Sequence, residues 1–229
     1  MPMVALLASL TLVYDAQERH PFTSVEGRGP AVAYTREAPG GWTQHWLYSP
    51  ENPQDRGILR TGRHAGDWEL VQTHPEKGVV LSQHSGAERC PGPLGPVYVA
   101  NGSHALYFRP GLRDRTFPDP NDEADGRGSR VRARVERVTE DSPGWMRRRE
   151  PWGGARATFP WESDSPRGPA FQGIRWDDPD AFARSASPCR AERCDEEGEC
   201  DGRETALAAA AGALLAALIV VPRVRRRRR

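Results

Sequence analysis

Lysine is almost missing from this chain: Lys77 is the only one, and arginine supplies the rest of a Lys+Arg total of 32. That bias reads as the codon composition of a GC-rich genome more than as a binding mode. Excess charge is missing too, since 31 Asp and Glu leave a formal net charge of +1 over 229 residues, which gives no global pull toward nucleic acid. No long amphipathic helical run precedes residue 204. Together with Gly 23 and Pro 21, that absence favours an all-β sandwich with long loops. The sequence has no Ser nucleophile elbow, P-loop, dinucleotide fingerprint or His-Glu-x-x-His helix, so it points to no named enzyme class. A mean hydropathy of −0.70 with 37% hydrophobic residues fits one soluble domain with a single core, plus polar loops.

What the chain does have is concentrated between residues 63 and 108. Arg63-His64-Ala65-Gly66-Asp67-Trp68-Glu69 packs an imidazole and two carboxylates around a tryptophan, and Ser82-Gln83-His84 and Gly102-Ser103-His104-Ala105 follow at short intervals. On an extended strand Asp67 and Glu69 project from one face, which is how a sheet presents a hard metal site or an acid/base pair. Glu69 to His74 and Val79 to His84 are β-prone runs around Pro75-Glu76-Lys77-Gly78, a hairpin signal. Pairing symmetric about Glu76 and Lys77 predicts Glu69 opposite His84 and Val71 opposite Ser82, with opposed Cβ atoms roughly 5 Å apart. Asp67, Glu69, Ser82 and His84 then share a face, and Trp68, Leu70, Val79 and Leu81 take the packing face. A one-residue bulge would break this arrangement. Asn101-Gly102, interrupting the apolar run from Pro96 to Phe108, predicts a kink or turn that re-aims His104.

Each residue also has a structural reading. A single histidine is ordinarily a satisfied core or surface group, and Trp68 reads as core. His20, His45 and His74 fit no site pattern and read as surface or packing groups. Arg130 to Val138 alternates strictly, as a strand with one arginine-rich solvated face does; a phosphate or nucleic-acid surface is the alternative. The acidic stretch from Pro118 to Gly126 lacks the spacing and final glutamate of an EF-hand and reads as a solvent loop.

In order, Gln44-His45-Trp46-Leu47-Tyr48, Gly-Arg-His-x-Gly-Asp-Trp-Glu, Ser-Gln-His and Val-Tyr-Val-Ala-x-Gly-Ser-His-Ala resemble the Vps62-related family. Ser165-Pro166-Arg167-Gly168-Pro169-Ala170-Phe171, followed by Trp176, resembles its closing motif. The resemblance covers most of residues 10 to 185 and implies a fold more than an activity. More loosely, the chain is similar to the necrosis-inducing Nep1-like proteins, secreted β-sandwich cytolysins whose Gly-His-Arg-His-Asp-Trp-Glu heptapeptide helps bind a divalent cation. That similarity implies cation-ligand roles for Asp67 and Glu69, matches His64 to one histidine of the heptapeptide, and leaves Glu51 and Asp55 as candidates for an acidic ligand from the preceding loop. One extra residue, and one histidine in place of two, depart from that motif.

Thr205 to Val221 is uncharged and mostly Ala, Leu and Val, about 25 Å long as a helix and near the lower limit for spanning a bilayer. Arg223 and Arg225 to Arg229 follow, so the positive-inside rule leaves that end cytoplasmic and the domain outside. A bacterial sorting signal, cleaved to release the domain, is the alternative to a single transmembrane helix. Met3 to Leu12 is apolar but has no preceding basic residue, and Leu12-Val13-Tyr14 reads better as a first strand than as part of an export signal. Cys90 stands apart from Cys189, Cys194 and Cys200, whose irregular spacing favours disulfides over a zinc knuckle, with three pairings open.

The expected organisation is a β-sandwich domain over 1–186, a Cys-containing acidic linker over 187–204, a transmembrane or sorting helix over 205–221 and a basic cytoplasmic tail over 222–229. Two functions fit. One is a surface-anchored domain that binds a divalent cation through Asp67, Glu69 and His104, with His64 and His84 as further ligand candidates, and recognises an envelope carbohydrate or lipid head group. The other is a metal-assisted hydrolase in which His64 or His84 acts as acid or base. Carboxylate-rich ligation suits Ca²⁺ or Mg²⁺, whereas converging histidines suit Zn²⁺ or Mn²⁺. Membrane contact through 205–221 is expected, and nucleic-acid binding is not.

Overall fold

The computed structural model describes residues 10–19, 21–53, 63–83, 86–112, 123–152 and 165–189, all within a unit that spans Met1–Cys189. The strands are β1 (Thr11–Tyr14), β2 (Val32–Ala38), β3 (Trp42–Asn52), β4 (His64–His74), β5 (Gly78–Gln83), β6 (Gly86–Cys90), β7 (Val97–Val99), β8 (Leu106–Tyr107), β9 (Arg130–Arg132), β10 (Arg134–Arg137) and β11 (Ser187–Pro188). Two short helices, α1 (Ile174–Asp177) and α2 (Pro179–Ser185), precede β11. Among the described residues the strands form a four-stranded sheet, β8-β7-β1-β9, and a seven-stranded sheet, β10-β2-β3-β4-β5-β6-β11. The chain is thus all-β, with few helices, and Leu12-Val13-Tyr14 lies in a strand.

Alternation along the central strands decides what faces what. Leu47, Val71, Val79 and Leu81 from the large sheet pack against Leu12, Val97, Val99 and Leu106 from the small one in a shared core. The other face of the large sheet presents Tyr34, Trp46, Tyr48, Trp68, Leu70 and Val80, covered by Met146, Trp176 and Phe182. Because both faces are covered, β3 and β4 are buried along most of their length, which is why they read as apolar runs more than as a clean alternation. Polar groups tie the helical cover down. Gln44 Nε2 donates to Gln72 Oε1 at 2.7 Å and to the Arg175 carbonyl at 2.6 Å. Gln72 Nε2 donates to the Pro179 carbonyl at 2.8 Å, and Arg36 Nη2 to the Trp176 carbonyl at 2.6 Å. Each satisfies a buried group that would otherwise cost about 1–3 kcal/mol.

The hairpin register departs from the sequence expectation by one residue. Val71 pairs with Leu81 and His74 with Gly78, so the turn has three residues, Pro75 to Lys77, and is centred on Glu76 alone. Gly78 at φ +87° makes this possible, as in three-residue hairpins that end on a left-handed glycine. His74 Nδ1 fixes it by accepting the backbone N–H groups of Glu76 and Lys77 at 3.0 and 3.1 Å. In consequence Val79 and Leu81 lie on the Val71 face, and Val80 takes the place beside Trp68 and Leu70.

The folded unit runs to Cys189, past the expected boundary at 186. β11 pairs in parallel with β6, and Cys189 forms a disulfide with Cys90 across a sequence separation of 99. No helix among the described residues is long and apolar enough to cross a membrane. Cys194, Cys200 and the 205–221 segment lie outside the described residues.

Candidate functional site

Asp67 sits opposite Ser49 in the β3–β4 ladder, one residue after Gly66, whose φ of +70° turns the strand. Asp67, Glu69 and Val71 share a side by alternation, so the carboxylates continue the face that Val71 contributes to the shared core. Both are buried, at 7% and 6% exposure. A buried carboxylate needs partners, and these come from three other elements.

His104 arrives from the β7–β8 connection, where Asn101 to Ser103 form a turn. Its own φ is +56°, the one left-handed backbone among the described non-glycine residues, a conformation that costs of order 1–3 kcal/mol outside glycine. Its imidazole is fully buried, and Nδ1 lies 2.9 Å from Asp67 Oδ2. Asn52 Nδ2, at the end of β3, donates to the same oxygen at 3.1 Å. On its other side His104 Nε2 lies 3.8 Å from Glu18 Oε2, with both side chains at or below 1% exposure. Glu18 in turn accepts the Gly102 N–H at 2.8 Å. Glu69 accepts a hydrogen bond from the Ser82 hydroxyl, and Ser82 Oγ itself accepts the Leu70 N–H at 2.7 Å. The ladder between β4 and β5 ends at Val71 and Leu81, and the serine hydroxyl takes up the backbone group left over.

These contacts separate the charges. Burial pushes the Asp67 carboxyl up, but the His104 hydrogen bond, the charges of His64 and His104, and Asn52 outweigh it and hold Asp67 below the usual range. Burial pushes Glu69 up to about 8, reinforced by the negative charge of Asp67 and opposed by Arg175, Ser82 and His104. Burial alone would lower His104, yet the bond to Asp67 and the charges of Glu18, Asp67 and Glu69 hold it above its ordinary value. The contacts thus favour an ionised Asp67 and a proton on His104, and they leave Glu69 neutral at neutral pH. No lysine or arginine among the described residues forms an ion pair with Asp67 or Glu69.

The structure brings Asp67, Glu69, Ser82 and His104 together. His64 is near enough for its charge to act on Asp67, but its Nδ1 contacts the Gly66 carbonyl at 2.7 Å. His84, like Asp55 and His20, lies outside the described residues. Glu51 faces Arg63 at 2.5 Å. A further acidic group, Glu18 from the loop after β1, reaches His104 and was not among the candidates read from the sequence. Neither Glu18 nor Asn52 carries a local sequence signal, because only the tertiary fold brings them to Asp67. His45 is a buried packing group against Thr35 Oγ1 at 2.8 Å, and burial lowers its pKa to about 4. His74 caps the hairpin turn. As they stand, no three His, Cys, Asp or Glu side chains among the described residues are arranged around a common ion position; the groups are hydrogen-bonded to one another. No family model, no curated protein and no solved structure matches this chain.

Proposed function

We propose that this chain is an extracytoplasmic, surface-anchored domain that holds a divalent cation at Asp67, Glu69 and His104 and recognises an envelope carbohydrate or lipid head group. One observation carries the cation reading. Two buried carboxyl groups, Asp67 and Glu69, lie on one side of β4 with no lysine or arginine ion-paired to them among the described residues, so protons, that on Glu69 above all, offset their charge. A divalent ion replaces those protons at lower cost. The donor set of carboxylate oxygens and one imidazole, with the Asn52 amide and Glu18 at hand, fits such an ion, which would supply charge neutralisation and Lewis acidity. The Cys90–Cys189 disulfide supports an oxidising compartment, and the apolar 205–221 segment with its arginines supports the anchor.

Metal analysis of the purified full chain after exposure to Ca²⁺, Mg²⁺, Zn²⁺ and Mn²⁺ in turn tests the reading. A stoichiometric ion that is lost on Asp67→Ala is expected. A wild-type chain that retains none of the four overturns it.

A metal-assisted hydrolase remains the second reading, favoured by one feature: neighbouring carboxyl groups with their pKa values pushed apart assign an acid and a base. Glu69 would be the proton donor and Asp67 the group that orients His104, in place of His64 or His84. Membership of the Vps62-related family is likewise our proposal, supported by the order of the motifs and the all-β build. Superposition on an experimental structure of an undisputed member, with its motif residues falling on Asp67, Glu69 and His104, is the result expected.

A further inference from the structure

We propose that the run from Arg130 to Arg137 is a docking ridge for a linear phosphodiester polymer of the cell envelope, a poly(polyol phosphate). β9 is the outermost strand of the small sheet and β10 the outermost strand of the large one, and Ala133, buried in the shared core, is the single residue between them. One continuous run therefore borders both sheets. Val131 and Ala133 pack into the shared core, while Arg130, Arg132, Arg134 and Arg137 are exposed. Alternate residues of an extended chain are about 6.6 Å apart, so Arg130, Arg132 and Arg134 leave one side of the run at that backbone spacing. Only Arg134 is paired, with Glu136 at 3.1 Å; Arg130, Arg132 and Arg137 make no ion pair among the described residues.

The unpaired guanidinium groups of Arg130 and Arg132, beside the Arg134–Glu136 pair, match a polymer with a repeating phosphate, since each fork can take two phosphate oxygens. Among the described residues no strand pairs along the outer edge of the run, and bulky charged side chains along an edge oppose the addition of another strand. The ridge thus suits a partner held through side chains over one held through strand pairing. The choice of an envelope polymer over a nucleic acid rests on the extracytoplasmic placement proposed above; the ridge itself does not depend on the cation site.

The test uses the full chain with Arg225, Arg226, Arg227, Arg228 and Arg229 all replaced by glutamine, so that the tail does not bind polyanions itself. Affinity for synthetic poly(glycerol phosphate) is measured over a range of salt concentrations, with and without Arg130→Gln, Arg132→Gln, Arg134→Gln and Arg137→Gln combined. At an unchanged melting temperature, the fourfold variant should bind at least tenfold more weakly. Its salt dependence should fall by a slope of about 2, at roughly 0.7 for each phosphate that one of the three unpaired arginines no longer neutralises. Equal affinity of the two proteins overturns the ridge. Tighter binding of single-stranded DNA, or of phosphatidylglycerol vesicles, than of the polymer overturns the assigned partner. Metal content measured on the same samples separates the two proposals: a chain that binds the polymer but no cation keeps the ridge and removes the cation site, and the converse removes the ridge alone.

Discussion

Burial keeps a proton on Glu69 well above the usual carboxylate range, and that shift has a sign that stability measurements can read. Its pKa is raised from 4.5 to about 8 in the folded chain, so between those values the folded state holds a proton that the unfolded state has released. Stability contributed by a group that binds protons more tightly when folded declines as pH rises, here by up to about 1.4 kcal/mol per pH unit. His104, also raised, acts in the same direction: its contribution is complete below its unfolded value of 6.5 and is lost as pH rises through its folded value. Asp67 is depressed, so its contribution is present above 3.8 and is lost only on acidification below that. In chelator, chemical denaturation of the wild type should therefore show stability falling from about pH 6.5 to about pH 8, above the range in which the buried His45, its pKa lowered to about 4, contributes in the opposite sense. Glu69→Gln should remove most of that slope. A saturating cation should reverse it, because ion binding strengthens as the ligand protons leave. A wild-type stability that is flat or rising over this window would contradict the protonation pattern derived for the site.

The strands show which parts of the site could be read in the sequence. Spacing two residues apart put Asp67 and Glu69 on one side of β4, and Asn101-Gly102 marked the turn that delivers His104; both are local properties of a few consecutive residues. Register was not local. It depended on Gly78 adopting φ +87° and on the His74 imidazole accepting two turn N–H groups, which shortened the loop and exchanged the faces of Val79 and Leu81. Glu18 and Asn52 were illegible for the same reason, because their link to Asp67 exists only once β1, β3 and β7 are in place. The parallel pairing of β10 with β2 follows from tertiary packing that no alternation pattern announces. Gly66 couples the site strand to the aromatic cluster behind it. It needs φ +70°, and a Cβ there would meet Trp152 Cβ at 2.7 Å. Gly66→Ala should cost about 1–3 kcal/mol from backbone strain alone, and more if Trp152 cannot retreat. Denaturation combined with the emission of the tryptophans stacked around Trp68 would register both effects. A variant as stable as wild type would mean that the strand does not turn at Gly66.

At the scale of the whole molecule, two buried clusters join the small sheet, the large sheet and the helical cover, and one covalent link among the described residues fastens the end of the cover to an edge. Cys90–Cys189 closes a loop with a sequence separation of 99, for which chain-entropy reasoning gives a stabilisation of about 4.7 kcal/mol, with typical measured values of 2–4. Replacing both cysteines with serine should lower stability by that order and free β11 from β6 before the central strands open, an order of events that hydrogen exchange resolves. The same bond bears on the proposed placement. A structural disulfide favours an oxidising compartment, whereas Arg223 and Arg225 to Arg229 would favour the cytoplasmic side of a membrane. The proposed placement, with the 205–221 segment crossing the bilayer, satisfies both conditions. In intact cells that produce the full chain, Cys90 and Cys189 should therefore resist thiol labelling until reduced, the chain should sediment with membranes through a high-salt wash, and an epitope after Arg229 should be reached only after permeabilisation. A soluble chain with that epitope intact would remove the anchor. Labelled thiols in a chain otherwise held in the membrane would reverse its orientation.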